Sequence, residues 1–427
     1  MRFDMLKVYL PAALLIAVAF VVTFQFVEPP PPDRMRIATG GADGAYAAFA
    51  RDYAAIMAQS DVTLEVVETS GSMENLDRLQ ADEDSDGVDI AFVQGGLGDP
   101  VAAPDLLGVA SLYFEPLWVF ARAGEATAGR IAIAGKRVAV GGAGSGTHAL
   151  AGKLLQANGL SDQVETVEIG GLEAIDALKA GRVDLALIVA GTRAAAARAL
   201  IEDPALALVG VERNTAYARN FRFLSALTLP EGALDLAGNV PPADVALIAP
   251  AATLVARGDL HPALVGLVLQ AAAAVHDSGD VLTEPGTFPS PRLVDFPLSD
   301  EAARYFKSGP SFFQRYLPFW IANLIDRLWI LVIPLLTVLI PLVRIAPPAY
   351  HWRMRRKIYR WYRDLGDIER EVRATDAEAD RAAQSARLIR LQEDVGRVEV
   401  PLSYAEDLYH LRLHIGFVKE LLFERPD

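Results

Sequence analysis

Residues 36–54 read RIATGGADGAYAAFARDYA, and residues 137–155 read RVAVGGAGSGTHALAGKLL. Each begins with a short strand-like run, turns through closely spaced glycines, and continues in an alanine-rich stretch with apolar residues at helical spacing. The likeness continues downstream. Residues 65–79, EVVETSGSMENLDRL, match 165–178, ETVEIGGLEAIDAL, and VDIAFVQGG at 88–96 matches VDLALIVAG at 183–191. Each copy predicts strand, glycine turn, helix, strand, glycine turn, helix, strand, which is a βαβαβ unit with a parallel sheet. Two copies predict two α/β lobes. Open α/β sheets bind ligands outside the carboxyl ends of their strands, where all these glycine turns lie, so the turns of both lobes are expected to meet across one cleft.

Beyond the second copy, VALIAPAATLVAR at 245–257 reads as a strand and a helix that return to complete the first lobe. The expected binding domain is 34–315, with one lobe at about 34–122 and 240–300 and the other at about 123–239.

The turns carry the chemistry available to such a cleft. Helix starts leave backbone N–H groups unsatisfied and carry partial positive charge, which attracts carboxylates and phosphates. Gly40 to Gly44 lets the backbone approach a ligand, and Tyr46 adds a ring and a hydroxyl. Thr69 to Asn75 places the Ser70 and Ser72 hydroxyls beside free amides, and Gly141 to Thr147 supplies the same from the other lobe. Gln94 ends a strand beside these loops, while His148 reads as a helix-start residue. The pattern points to a small organic anion.

Other classes are excluded or unsupported. The formal net charge of -14 opposes nucleic-acid binding, which needs a basic face. With no cysteine there is no disulfide, thiolate nucleophile or Cys-ligated metal. Ala143 and Thr147 occupy the outer positions of a G-x-S-x-G motif around Ser145, the glycine loops lack the P-loop lysine, and the six histidines show no metal-binding spacing. No catalytic constellation emerges, and neither a cofactor nor a metal is expected.

Two apolar stretches flank the domain. Val8 to Val27 follows Arg2 and Lys7, has the ~20-residue length of a membrane span, and ends without a small-residue cleavage pattern. The prolines within 28–33 form a stiff spacer after it. The second stretch, Leu328 to Val343 within 316–346, is approached by Tyr316, Phe319 and Trp320 and followed by Arg344 and the basic run Arg353 to Arg363. By the positive-inside rule, residues 1–7 and 347–427 are expected in the cytoplasm and the binding domain outside a bacterial inner membrane. Leu365, Ile368 and Val372, then Leu408, Leu411, Ile415, Val418 and Leu422, follow coiled-coil-like spacing on either side of Pro401, predicting a cytoplasmic helical hairpin.

The outer domain resembles the TAXI-type solute receptors of tripartite ATP-independent periplasmic (TRAP) transporters. The segments that carry the resemblance are Thr39-Gly40-Gly41 with Gly44 and Tyr46, Thr69 to Leu76, Asp89 to Gln94, Leu112-Tyr113 with Glu115-Pro116-Leu117, and Gly135 to Val138 leading to Gly144–Thr147. They span about residues 34 to 290. The resemblance implies an α/β, two-lobed type II periplasmic-binding-protein fold with hinges near 120–130 and 210–245. It also implies a dicarboxylate, 2-oxo acid or acidic amino acid as ligand, and a TRAP-type permease as partner in the lipid bilayer. By position, it places ligand contacts on Gly44, Tyr46, Ser72, Asn75, Gln94, Ser145, Gly146, Thr147, Val189 and Ala190. Two features depart from it: Tyr46 stands between alanines rather than in a tyrosine pair, and Gly95-Gly96 rather than a polar residue follows Gln94. A tether at both ends makes a ligand sensor, signalling through the hairpin, the alternative to a transport receptor.

Overall fold

In the computed structural model, which describes residues 14, 17, 18, 20–22, 24, 25, 29–42, 44–82, 86–125, 132–192, 200, 201, 203–374 and 378–423, the two repeated segments form equivalent units. The first is β1 (Arg34–Ala38), α1 (Ala45–Ala58), β2 (Thr63–Val67), α2 (Ser72–Gln80) and β3 (Ile90–Gln94), followed by β4 (Leu106–Phe114) and β5 (Leu117–Arg122). The second is β6 (Arg137–Ala139), α3 (Gly146–Ala157), β7 (Glu165–Val167), α4 (Gly171–Lys179) and β8 (Leu185–Val189), followed by β9 (Leu206–Val209). In each unit the first strand pairs in parallel with both others: Ile37 lies opposite Val66 and Ile90, and Val138 opposite Thr166 and Leu185.

After β9 come α5 (Asn214–Asn220) and the antiparallel pair β10 (Ser225–Leu229) and β11 (Val245–Ala249). The chain then enters β12 (Ala251–Arg257) and α6 (Pro262–His276). The sheets run β2-β1-β3-β12-β4 and β7-β6-β8-β5-β9. Each parallel trio is thus extended by antiparallel strands. β12 lies between β3 and β4 in the first lobe, and β5 between β8 and β9 in the second.

Two expectations change here. Residues 251–257 form a strand, not a helix, because Pro250 interrupts the run and the segment after it is buried on both faces in mid-sheet, where a continuous apolar strand belongs. The chain passes between the lobes at Glu115–Pro116 and at Pro250, not at 120–130 and 210–245, because β5 already belongs to the second sheet and β12 to the first.

The repeat extends to a charged clamp. In the first lobe the Arg36 and Asp89 backbones bond (Asp89 N to Arg36 O, 3.1 Å), and the Arg36 N–H donates to the Asp89 carboxylate at 2.6 Å. In the second, Asp184 N donates to Arg137 O at 2.8 Å, and the Arg137 N–H donates to the Asp184 carboxylate at 2.9 Å. The Arg137 guanidinium adds a bond to Asp184 at 2.8 Å and one to Gly181 O at 2.9 Å. Each clamp fastens the amino end of a third strand to that of a first strand. The opposite ends, with their glycine turns, are left to face the cleft.

Ile37, Tyr53, Met57, Phe92, Leu254 and Val268 form the core of the first lobe; Trp118, Phe120, Ile175 and Leu178 are buried in the second. α7 (Asp300–Ser308) and α8 (Phe312–Tyr316) follow α6. The chain divides into two compact units, Pro29–Ile325 and one formed by the residues before and after it.

In that other unit, the later part of α9 (Phe319–Ala374) packs with α10 (Glu378–Gly396) and α11 (Ala405–Phe423) around Ile358, Leu365, Leu391, Leu411 and Ile415. Around Pro401, where the sequence predicts the turn of a hairpin, the chain leaves the helix at Gly396 and re-enters one at Ala405. Among the described residues no helix is long and apolar enough to cross a membrane. The expected span at 8–27 lies largely outside those residues. That at 316–346 has only 16 residues between Arg327 and Arg344, short of the ~20 a straight span needs.

The Asp184 carboxyl is held below its usual range by hydrogen bonds from Arg137, outweighing burial. A carboxyl depressed in this way stabilises the fold fully above its unfolded value near ~4, and that stabilisation fades as pH falls through the folded value. Asp184→Ala is therefore expected to cost about 2–3 kcal/mol at neutral pH in urea unfolding, with the gap to the parent narrowing below pH ~4. A gap that ignores pH would show that the clamp acts by shape alone.

Candidate functional site

The carboxyl ends of β1, β2 and β3 carry the turns of the first lobe, and those of β6, β7 and β8 the turns of the second. Gly44 is the N-cap of α1, where no side chain caps the helix and an added Cβ would lie 3.0 Å from Gly41 O. Two residues on, Tyr46 stacks its ring on Phe92 (centroids 5.0 Å apart, 14° between planes) and donates its hydroxyl to Glu115 Oε2 at 2.8 Å. Glu115 stands in the first crossover, 6% exposed, and its N–H donates to Pro250 O of the second crossover at 2.9 Å. Burial pushes its carboxyl up to about 7, against the Tyr46 hydrogen bond, which acts to lower it. Burial first, then the Glu115 charge, raises Tyr46 well above the usual phenol value.

Beside them the Tyr113 hydroxyl is buried without a hydrogen-bond partner among the described residues. Its ring stacks on His276 at 5.5 Å, and His276 Nε2 lies 2.8 Å from the Tyr53 hydroxyl. A cavity of about 30 Å³ adjoins Tyr113 between Phe49 and His276 of the first lobe and Gly191 and Thr192 of the second. That is room for about one water-sized group.

Ser72, the first residue of α2, accepts the Gln94 N–H at 3.0 Å. The Gln94 side chain reaches across the lobes and donates to Gly146 O at 3.1 Å. A Cβ on Gly146 would sit 2.1 Å from Gln94 Oε1, so glycine permits this approach. Lys153 of α3 bonds Gly96 O and lies over the Phe223 ring, 5.3 Å from its centroid. The lobes thus touch at their strand ends.

Of the residues singled out in the sequence, Tyr46, Ser72, Gln94 and Gly146 come together, with Glu115 beside them. The others are engaged within a lobe. Asn75 is fully buried; its amide donates to Thr39 O and, at 2.7 Å, to Phe92 O, while its Oδ1 accepts from Thr69 at 2.6 Å. Thr147 Oγ1 accepts the Val189 N–H at 3.1 Å, and Ser145 caps α3 by accepting the His148 N–H at 3.2 Å. Ala190 O accepts from the Trp118 indole at 2.8 Å. Glu115 and Tyr113 entered the sequence reading only as part of a resemblance. The signal that marks Glu115 is a lone acid inside the apolar run SLYFEPLWVF at 111–120. Among the described residues no cluster of His, Cys, Asp or Glu could hold a metal ion.

A model of the NMT1-like family matches residues 37–277, from β1 through α6. No curated protein matches the chain. Among solved structures, lipoprotein Tp32 of Treponema pallidum is 16% identical, with 56% of this chain and 90% of that one covered at a TM-score of 0.35. A protein of Bordetella bronchiseptica is 14% identical over 66% and 83% of the chains at 0.39. An arginine-specific periplasmic binding protein of Salmonella typhimurium is 15% identical over 57% and 94% at 0.36. Likenesses at these scores carry no argument about ligand or partner.

Two outcomes follow from the geometry. Asn75→Leu strands two carbonyls and a hydroxyl, so it is expected to destabilise the chain by about 2–4 kcal/mol in urea unfolding; a neutral result would mean that water replaces the amide. Glu115 runs opposite to Asp184. Its carboxyl is raised from 4.5 to about 7, so the folded state holds the proton longer and stability is lost as pH rises across that window. Glu115→Gln cannot ionise, and its stability relative to the parent should increase by about 3 kcal/mol between pH ~5 and ~8. An advantage that does not grow with pH would place the carboxyl in water.

Proposed function

From the premise that the chain belongs to the NMT1-like family, we propose that its α/β unit is a solute receptor that closes two lobes on a small organic anion, a dicarboxylate, 2-oxo acid or acidic amino acid. The observation that carries this reading is the meeting of Tyr46, Ser72 and Gln94 of one lobe with Gly146 of the other, at strand ends joined by two crossovers. Helix starts with glycine N-caps and no side-chain cap, at Gly44 and Gly71, offer amides to a carboxylate. The site holds no nucleophile paired with a base, so binding fits it better than catalysis. The finer reading is a TRAP-type receptor of the TAXI kind that delivers its ligand to a permease. In it, the apolar stretches at 8–27 and 316–346 tether the receptor to a bacterial inner membrane, and both ends of the chain lie in the cytoplasm.

A second reading rests on the packed helices after Tyr350. Their shared core of Ile358, Leu365, Leu391 and Leu411 makes a folded body suited to a partner, so closure of the lobes would be sensed rather than used for transport.

The test is a thermal-shift panel of organic acids on the full-length protein. A ligand at 100 times its Kd stabilises the native state by roughly 2.7 kcal/mol. Gln94→Ala, which removes the cross-lobe bond, is expected to weaken the binding roughly tenfold while lowering the unliganded melting point by only a few degrees. If acids, amino acids and sugars all leave melting unchanged, the receptor reading fails.

A further inference from the structure

Buried and half-buried carboxylates of the α/β unit are, as a rule, answered by donors or cations. Asp184 has Arg137 and Arg122, Glu74 has Arg78 and the Ser70 amide, Asp295 has the amides of Gly96 and Gly98, and Asp280 has two hydroxyls and the Leu282 amide. Glu115 differs. Among the described residues its carboxylate has one hydrogen-bond partner, the Tyr46 hydroxyl, and no Lys, Arg or His within ion-pair range. A buried carboxylate without a counter-charge is costly, and removing one member of a buried pair leaves this condition behind. The second observation is independent. Tyr113, only 9% exposed, ends its side chain in an oxygen with no hydrogen-bond partner among the described residues; it lies on β4 two residues before Glu115 of the crossover, next to a water-sized cavity between the lobes.

The place matters as much as the charge. Glu115 lies where the chain passes from one lobe to the other, its N–H bonded to Pro250 in the return crossover. Its carboxylate meets the first turn of α1, and the α1 and α2 starts lack side-chain caps. A positive backbone pole and an uncompensated acid thus stand at one cleft. An ammonium group has three donors and no acceptor, which complements the two oxygen-bearing side chains, Glu115 and Tyr113. A second carboxylate there would face an acid. We infer that Glu115, held by Tyr46, forms with Tyr113 the seat of a protonated amine, so that the ligand carries an ammonium group beside the carboxylate that the helix starts attract. This rests on reading the cleft as a solute site. Glu115 is then the residue that separates amino acids from their 2-oxo counterparts.

The titratable groups that the Glu115 charge reaches are Tyr46 on α1 and Tyr113 on β4, with Tyr53 acting on Tyr113 and His276 stacked on it. The phenols are pushed up by burial and stay neutral below pH ~9, and the Glu115→Gln variant separates the response of Glu115 from any other group.

The experiment is calorimetric titration of the full-length protein with matched pairs: L-glutamate with 2-oxoglutarate, L-aspartate with oxaloacetate, and L-alanine with pyruvate. The amine-bearing member of at least one pair is expected to bind at least ~10-fold tighter at pH ~8, a difference typical of one charge-assisted contact. Its affinity is expected to rise between pH ~6 and ~8 as Glu115 ionises. Glu115→Gln, which keeps the volume and an acceptor for Tyr46, is expected to bring the ratio within a pair close to one. Tyr46→Phe should lower the ratio less, and it stands in should Glu115→Gln not fold. An oxo acid that binds as tightly as its amine partner, an amine affinity that falls with rising pH, or a preference that survives in Glu115→Gln overturns the amine seat and leaves the receptor reading intact. Binding by no member of any pair overturns the receptor reading for this ligand class, and the amine seat with it.

Discussion

The chain crosses between its lobes at Glu115–Pro116 and at Pro250, and one backbone hydrogen bond, Glu115 N–H to Pro250 O at 2.9 Å, holds the two crossings together. Much of the fold is arranged around that junction. Each crossing runs from a strand of one region directly into a central strand of the next, β4 into β5 and β11 into β12, so a sheet is complete only when the chain has crossed. The lobes are tied by two adjacent peptide segments, yet each has its own core. Prolines at both crossings limit the backbone further, since each fixes its own φ and restricts the residue before it.

Contacts beyond the crossings decide whether the lobes stay together, and those around the cleft are modest. Gln94 to Gly146 is a neutral hydrogen bond, worth on the order of 1 kcal/mol net. Lys153 joins a carbonyl and a ring at the surface. The clamps within the lobes, Arg36 with Asp89 and Arg137 with Asp184, are charge-assisted and repeated. The paired charges therefore lie at the amino ends of the strands, inside each lobe, while the lobes meet through Gln94–Gly146, Lys153–Gly96 and the Thr192 hydroxyl on the Asp280 carboxylate. A small ligand supplies only a few kcal/mol of differential binding, and that is enough to shift contacts of this size.

The parts legible in the sequence are those in which local chemistry and tertiary role agree. Glycine after a short apolar run means a turn wherever it occurs, and seeing it at Gly40, Gly71, Gly141 and Gly170 in matching order exposed the repeat. The crossings were misread because their logic is tertiary. Residues 117–122 look equally like the end of one lobe or the start of the next, and only the pairing of Leu117 with Val189 decides. Residues 251–257 read as a helix in the sequence because alanine-rich apolar runs carry no period when both faces are buried. Of the residues that spacing singles out, Gln94 reaches the other lobe; the side chains of Ser72, Asn75, Ser145 and Thr147 bond backbone groups of their own lobe, and spacing does not reveal such partners.

Glu115 shows why a site residue can escape a reading of local pattern. An acid within SLYFEPLWVF contributes nothing to either strand, and by burial alone it weakens the fold as it ionises. Glutamine in its place would keep the bond to Tyr46 without that cost. An ionisable group held where it opposes stability, at the junction of two lobes and beside an unpartnered phenol, fits the condition of a group completed by something outside the chain. The same burial that raises the carboxyl in the unliganded state strengthens its attraction for a cation brought into the closed cleft, since both effects come from the exclusion of water. Closure and selectivity then share one cause: a ligand that supplies the missing positive charge relieves the penalty only when the lobes have shut around it.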